Sequence, residues 1–122
     1  MTTRTAAVLR QMREAVSWIE SDVEGFDVTR FVDDRRARQL VERNLEILSE
    51  ASRRIPPDLK ATEPDVDWTA LANLGNVLRH EYQRVDPVLL WTLLADELDA
   101  LSTALRRLEE RTRVDGGGAS TH

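Results

Sequence analysis

Apolar residues recur at intervals of three and four positions along most of this chain, which is the pattern of amphipathic α-helices. The first segment with this pattern runs from about Thr3 to Ser21, and Gly25 is expected to end it. Its apolar stripe consists of Leu9, Met12, Val16, Ile19 and Val23.

The second long helix is predicted to begin at Asp33 or Asp34, because an aspartate before a periodic apolar segment is a good N-cap. Before it, Asp27 is expected to cap a short helical turn that ends near Phe31. The long helix extends to about Arg54, and its charged residues are expected to be solvated or paired. Its inner face is predicted to contain Ala37, Leu40, Val41, Leu45, Ile47, Leu48 and Ala51.

Pro56-Pro57 stops this helix, and the run from there to Asp67 is predicted to be a connector. Asp67 is a good N-cap for the third long helix. Gly75 lies on the apolar stripe of that helix, where its missing side chain would let another helix backbone come close. The other residues of the stripe are Trp68, Leu71, Leu78 and Tyr82.

Asp86-Pro87 is predicted to start the last long helix, because proline is favoured at the first helical position after a capping residue. Trp91 precedes a leucine seam in this helix, which consists of Leu94, Leu98, Leu101, Leu105 and Leu108. A seam of this spacing serves either the core of a monomer or a helix-on-helix dimer interface.

The fold class predicted from these segments is all-α, because no part of the sequence alternates with the period of two that strands require. We expect an antiparallel bundle of four long helices plus a short one, joined by tight connections. Residues 1–113 form the predicted helical domain, and residues 114–122, with Gly116-Gly117-Gly118, form a disordered tail.

The composition restricts the possible functions. The chain has 122 residues, enough for one hydrophobic core, and a net charge of −5, which argues against coating nucleic acid through bulk charge. It has no cysteine, so a thiolate nucleophile and cysteine-ligated zinc are excluded. No stretch resembles a signal peptide or a membrane span, which makes a cytoplasmic location the default expectation.

Candidate chemistry is concentrated in the third long helix, around Asn76, Arg79, His80 and Tyr82. Asn76 and His80 are four residues apart and share a helix face, so the amide can hold the imidazole in one tautomer. Arg79 can bind a phosphate through two hydrogen bonds, and Tyr82 can donate a hydroxyl or stack on a base. This set fits cleavage of RNA by its own 2′-hydroxyl, which needs proton transfer and charge stabilisation but no metal.

Each of these residues also has a purely structural interpretation. A histidine near a helix C-terminus interacts favourably with the helix dipole, and Arg79 could be paired with Glu81 or Asp86, or solvated. Tyr82 lies on the apolar stripe, where it would be a core residue with its hydroxyl at the rim.

Two segments resemble a known family. One is Val41-Glu42-Arg43-Asn44-Leu45-Glu46-Ile47-Leu48-Ser49-Glu50-Ala51, and the other is Asp67-Trp68 followed by Asn76, Leu78, His80, Tyr82, Val85-Asp86 and Trp91. Together they resemble the HepT-like branch of the HEPN superfamily, and the resemblance extends from the first helix to about Leu108.

The resemblance implies a homodimeric helical bundle, with a cleft at the dimer interface where both copies of the motif meet. It implies metal-independent RNase activity that needs no cofactor, with Asn76, His80 and Tyr82 as catalytic residues. It also implies the toxin of a type VII toxin–antitoxin pair, neutralised by a minimal nucleotidyltransferase encoded beside it. In this family the motif tyrosine can accept adenylyl groups from that partner, so Tyr82 is the expected modification site.

The sequence departs from the family pattern at one position. The family has an arginine five positions before the histidine, and here that position is Gly75. Either Arg79 supplies the guanidinium from one turn further along, and joins the catalytic set, or the set is broken. In the second case the protein would be an inactive HEPN module that binds the nucleotidyltransferase and presents its substrate.

Overall fold

Helices make up most of the computed structural model, which describes residues 3–81 and 85–120, without the side chains of residues 81 and 114–120. Within those ranges there are six α-helices and no strand, which confirms the predicted all-α class. The helices are α1 Thr3–Asp22, α2 Val28–Asp33, α3 Arg35–Ser52, α4 Pro57–Lys60, α5 Trp68–Glu81 and α6 Pro87–Ser120.

The helix ends follow from local capping chemistry. Gly25 has a φ of 76°, a conformation that glycine adopts without strain, in the turn after α1. The choice between Asp33 and Asp34 is resolved: Asp33 is the last residue of α2, and the Asp34 carboxylate accepts a hydrogen bond from the Ala37 amide at 2.9 Å. The same kind of side-chain capping is made by Asp27, Asp67 and Asp86.

The connector after α3 contains one element that the sequence analysis missed. Pro57 occupies the first turn of α4, a helix of four residues whose Leu59 is buried. Trp68 ties this connector to α5, because its indole nitrogen donates to the Lys60 and Glu63 carbonyls at 3.2 and 3.1 Å. Four residues are too few for a periodic apolar pattern, which is why α4 was predicted as connector.

The main packing contacts set the helices in the order α6, α1, α3, α5, with α2 against α3 and α6. Phe31 of α2 is fully buried, and its ring centroid lies 5.2 Å from that of Trp91 in α6. The largest fully buried side chains are Phe31, Leu9, Met12, Ile19, Leu48, Ile55, Leu78, Leu105 and Leu108. Because α5 is at the outer end of this order, α3 alone supplies most of its packing.

Several predicted core positions are not fully buried, and besides Leu40 and Leu98 these are the half-buried Val23, Ile47, Trp68 and Leu71. Leu40, expected on the inner face of α3, is 44% exposed, because the buried stripe of α3 is narrower than the apolar pattern and passes through its neighbour Val41. Leu98 is only half-buried, whereas Leu94 and Leu101 on either side of it in the seam are buried. The half-buried Leu98 borders a surface groove described below.

Charged residues of α3 occupy two different environments, an ion pair at the surface for Arg43 and a half-buried position for Glu42. Arg43 and Glu46 form an exposed ion pair at 3.7 Å, as expected. Glu42 is half-buried, and burial raises the pKa of its carboxyl above the ordinary value, although nearby Arg38 acts in the opposite direction.

The C-terminal boundary stays a prediction. The backbone of α6 is helical to Ser120, while the described side chains end at Arg113. The expected domain limit at residue 113 and the disordered tail of residues 114–122 therefore stay predictions. None of the helices in the described ranges is long and apolar enough to span a membrane.

Candidate active site

A buried serine fixes α5 against α3. The Ser49 hydroxyl donates to the Ala72 carbonyl at 2.9 Å and accepts a hydrogen bond from the Gly75 amide at 2.9 Å. Ser49 is 2% exposed, and Gly75 is buried against it. A Cβ atom at position 75 would lie 2.8 Å from the Ser49 oxygen, so no larger residue fits there without a shift. Gly75 thus permits a close approach, as predicted, but by a hydroxyl rather than by a helix backbone.

The side chain of Arg79 lies next to the contact between Gly75 and Ser49. Its Nη2 donates to the Asn76 side-chain oxygen at 3.3 Å. Its Nη1 is 3.4 Å from the position that a Cβ atom of residue 75 would occupy. The guanidinium of Arg79 therefore lies beside Gly75, in the direction that a side chain at position 75 would begin to follow. This favours the interpretation that the guanidinium has moved by one turn over the interpretation that it is lost.

His80 is exposed in the last turn of α5, four residues after the exposed Asn76. At this spacing the two residues share a helix face, so the structure brings Asn76, Arg79 and His80 together on one solvent-facing surface. Basic side chains such as those of Arg79 and His80 are favoured in the last turn of a helix, so the structural interpretation applies to them as well.

Part of the predicted set lies outside the described residues. This holds for Tyr82 and for the side chain of Glu81, so the role of Tyr82 and the pairing of Arg79 with Glu81 stay predictions. The other predicted partner of Arg79 has a different role, because the Asp86 carboxylate caps α6 by accepting from the Val88 amide at 2.9 Å. No three potential metal-ligating side chains cluster in the described part of the chain.

Arg53 is a residue near this site that the sequence analysis did not consider. It follows α3 as the C-cap residue, and its Nη2 donates to the Ala72 carbonyl at 2.8 Å. The signal in the sequence is its spacing: Arg53 comes four residues after Ser49, and residues four apart share a helix face. Without knowledge that Ser49 contacts α5, that spacing carries no information about a site.

A groove separates α5 from α6, with α3 as its floor. It has a volume of about 410 Å³. Val77 lines it and is 42% exposed. Val77 and His80 are three residues apart on α5, so the histidine lies between the groove and the Asn76–Arg79 side of the helix. Other lining residues include Leu45, Leu48, Leu74, Leu94 and Leu98, and we call this surface the α5–α6 groove.

The all-α fold, with Asn76 and His80 exposed near the end of α5, is consistent with the HEPN type that the sequence resembles. The family described as ribonuclease HepT-like matches residues 12–108, a range that contains the whole candidate site. The chain therefore belongs to the HepT-like ribonuclease family, and the resemblance predicted from the sequence is confirmed.

Two relatives illustrate the similarity. A protein of Thermococcus cleftensis named as a probable ribonuclease HepT is 30% identical over 102 residues, which cover 84% of this chain and 93% of that protein. A protein of Methanocaldococcus jannaschii named as a candidate RNase is 32% identical over 92 residues, which cover 75% and 84% of the two chains. No solved structure gives a significant match.

The contact between Gly75 and Ser49 predicts how the protein responds when the family's arginine is restored. Gly75→Arg should lower the free energy of unfolding by about 1–3 kcal/mol, because its Cβ would meet the Ser49 oxygen and its chain would meet the Arg79 guanidinium. Urea denaturation of the purified variant measures this change.

Gly75→Ala is the sharper control, because a Gly-to-Ala change inside a helix normally stabilises by about 1 kcal/mol. Here we expect a loss, and a smaller loss in a Ser49→Ala background, since contacting residues are not additive. A full gain in stability from Gly75→Ala alone would show that the 2.8 Å contact imposes no constraint.

Proposed function

We propose that this protein is a metal-independent endoribonuclease whose active site is the Asn76, Arg79 and His80 surface at the end of α5. The observation that carries this proposal is the position of the Arg79 guanidinium, 3.4 Å from the place of a Cβ at Gly75 and bonded to Asn76. Membership of a ribonuclease family gives independent support. The Arg79 geometry favours activity over the alternative of an inactive HEPN module.

The chemistry needed is an intramolecular displacement at phosphorus. The RNA 2′-oxygen loses its proton to a base and attacks the adjacent phosphate, and the 5′-oxygen leaves after it receives a proton from an acid. The products are a 2′,3′-cyclic phosphate and a free 5′-hydroxyl. An imidazole can act as base or acid, and a guanidinium beside it stabilises the charge that develops on the phosphoryl oxygens.

Assembly would complete this set. The sequence has one other histidine, His122, so a separate acid and base are most simply supplied by His80 of two protomers related by a two-fold axis. The α5–α6 groove supports this part of the proposal, because a second copy seated there would lie next to His80. The partly exposed Val77 gives that surface an apolar side chain that gains from being covered.

The biological role that we propose is that of a toxin in a type VII toxin–antitoxin pair. A minimal nucleotidyltransferase would neutralise it by transferring AMP to Tyr82, two residues after His80. The transfer joins the tyrosine oxygen to the α-phosphorus of ATP and releases pyrophosphate. The bulky anionic phosphodiester would exclude RNA from the site by its volume and by its charge.

The first test of activity is a metal-free cleavage assay. Wild-type protein should cut single-stranded RNA in the presence of EDTA, and His80→Ala should reduce the rate by about 10²-fold or more, which is typical for loss of general acid–base catalysis. His122→Ala removes the other histidine and should leave the rate unchanged. Wild-type protein without cleavage would favour the inactive binding module, and equal rates for wild type and His80→Ala would remove His80 from the site.

The second test concerns the dimer. Val77→Glu places a charge in the α5–α6 groove, so it should convert the dimer to a monomer at micromolar concentration and abolish cleavage without unfolding the protein. Val28→Glu is the matched control, since Val28 is 37% exposed on α2 and does not line the groove. Light scattering measures the mass. A wild-type monomer, or a Val77→Glu dimer, would contradict the proposed interface.

The third test concerns the modification. When the protein is co-expressed with the nucleotidyltransferase encoded beside it, mass spectrometry should find the added mass of AMP on the peptide that contains Tyr82. Tyr82→Phe should remain unmodified and keep its toxicity, because it lacks the accepting hydroxyl. An unmodified Tyr82 peptide from the neutralised wild-type protein would contradict this mode of control.

A further inference from the structure

We propose that Arg53, at the end of α3, binds an RNA backbone phosphate next to the phosphate that Arg79 binds. The inference rests on the proposed RNase function and extends it, because it adds a second helix and a second cation to the substrate site. It concerns a residue to which the sequence analysis gave no role.

The first reason is that Arg53 is held in place although it is exposed. Its Nη2 donates to the Ala72 carbonyl at 2.8 Å, a contact between two helices. The Ser49 hydroxyl donates a second hydrogen bond to the same carbonyl, at 2.9 Å. The guanidinium of Arg53 is thus held against α5 by its hydrogen bond to Ala72. Its other N–H groups remain available to a ligand.

The second reason is that the charge of Arg53 is not compensated by a described carboxylate. Several other arginines form ion pairs, including Arg54 with Glu50 at 4.0 Å and Arg13 with Glu109 at 3.0 Å. The hydrogen bonds described for Arg53 and Arg79 go instead to neutral oxygens, of Ala72 and Asn76. Neutral acceptors orient a guanidinium without neutralising it, so the charge of Arg53 is available to an anion, whereas Arg79 lines a surface pocket together with Glu46 and Glu50.

The third reason is the relative position of the two guanidiniums. Arg53 donates to the Ala72 carbonyl, which also accepts a hydrogen bond from the Ser49 hydroxyl. The same hydroxyl bonds to the Gly75 amide, and the Arg79 Nη1 lies 3.4 Å from the position of a Cβ at residue 75. The two guanidiniums are therefore fixed on the same part of α5, where they can contact neighbouring phosphates of one strand.

This arrangement predicts the direction of the bound strand and the character of its recognition. The RNA backbone would run from His80 towards the Arg79 and Arg53 guanidiniums. A contact to phosphate positions the strand but does not read its sequence. Arg53 should therefore contribute to affinity equally for RNAs of different sequence.

The experiment compares two neighbouring arginines. Arg53→Gln removes the charge but keeps an amide that can donate to the Ala72 carbonyl, and Arg54→Gln removes the same charge from a residue paired with Glu50. Binding of a fluorescent, fully 2′-O-methylated oligonucleotide, which cannot be cleaved, is followed by anisotropy over a range of salt concentrations. Each lost phosphate contact in a single strand lowers the slope of log K against log[salt] by about 0.7.

We expect Arg53→Gln to show that loss of slope and Arg54→Gln to keep nearly the wild-type slope. In cleavage assays, Arg53→Gln should raise KM with little change in kcat, since the flanking phosphate is held equally before and during the reaction. Arg53→Lys keeps the charge and should keep the slope, which separates electrostatic binding from a structural role at Ala72. Urea unfolding checks that all three variants are folded.

The outcomes distinguish this inference from the function on which it rests. If the wild type binds and cleaves RNA but Arg53→Gln matches Arg54→Gln in slope and KM, the role of Arg53 is overturned and the RNase function stands. If the wild type neither binds nor cleaves RNA, the proposed function fails, and the role of Arg53 fails with it.

Discussion

The Ser49 hydroxyl is the contact on which the candidate site depends. It sits between α3 and α5 and bonds both to the carbonyl of Ala72 and to the amide of Gly75. It fits there only because position 75 has no side chain. The Arg79 guanidinium lies beside the same position, with its Nη1 3.4 Å from where a Cβ would stand. A small hydroxyl and a glycine thus set how closely the two helices pack, next to an exposed cation.

This arrangement gives a physical account of the departure from the family motif. A Cβ atom at position 75 would lie 2.8 Å from the Ser49 oxygen, so an arginine there would require a shift in the packing of α5 on α3. The Arg79 guanidinium lies beside this position and takes Asn76 as its hydrogen-bond partner. Relocation of the cation by one turn is the interpretation on which the proposed function rests.

The sequence predicted the helices well because their signals are local. Asp27, Asp34, Asp67 and Asp86 act as caps, and periodic apolar residues mark the buried faces. It predicted less well what depends on contacts between helices. The exposure of Leu40 is set by the width of the α3 contact surface, which the apolar pattern alone does not give.

The residues of the candidate site also divide into those that helical spacing identifies and those that only the folded structure brings together. Asn76, Arg79 and His80 could be grouped from helical spacing, because all three lie on α5. Arg53 could not, since it meets α5 only through the folding of α3 onto it, across the α4 connector. The obstruction at Gly75 is also a tertiary effect, because the atom that fills the space belongs to a residue 26 positions earlier.

The place of α5 at the outer end of the helix order has a consequence for how the site is maintained. A helix that packs mainly on one neighbour can detach while the rest of the core stays intact, so its local opening costs less than global unfolding. Any molecule that covers the α5–α6 groove would favour the attached state by mass action. Order at His80 and Arg79 would then be thermodynamically linked to occupation of this groove, and a protein with the groove empty would hold that part of α5 less firmly than one with the groove covered.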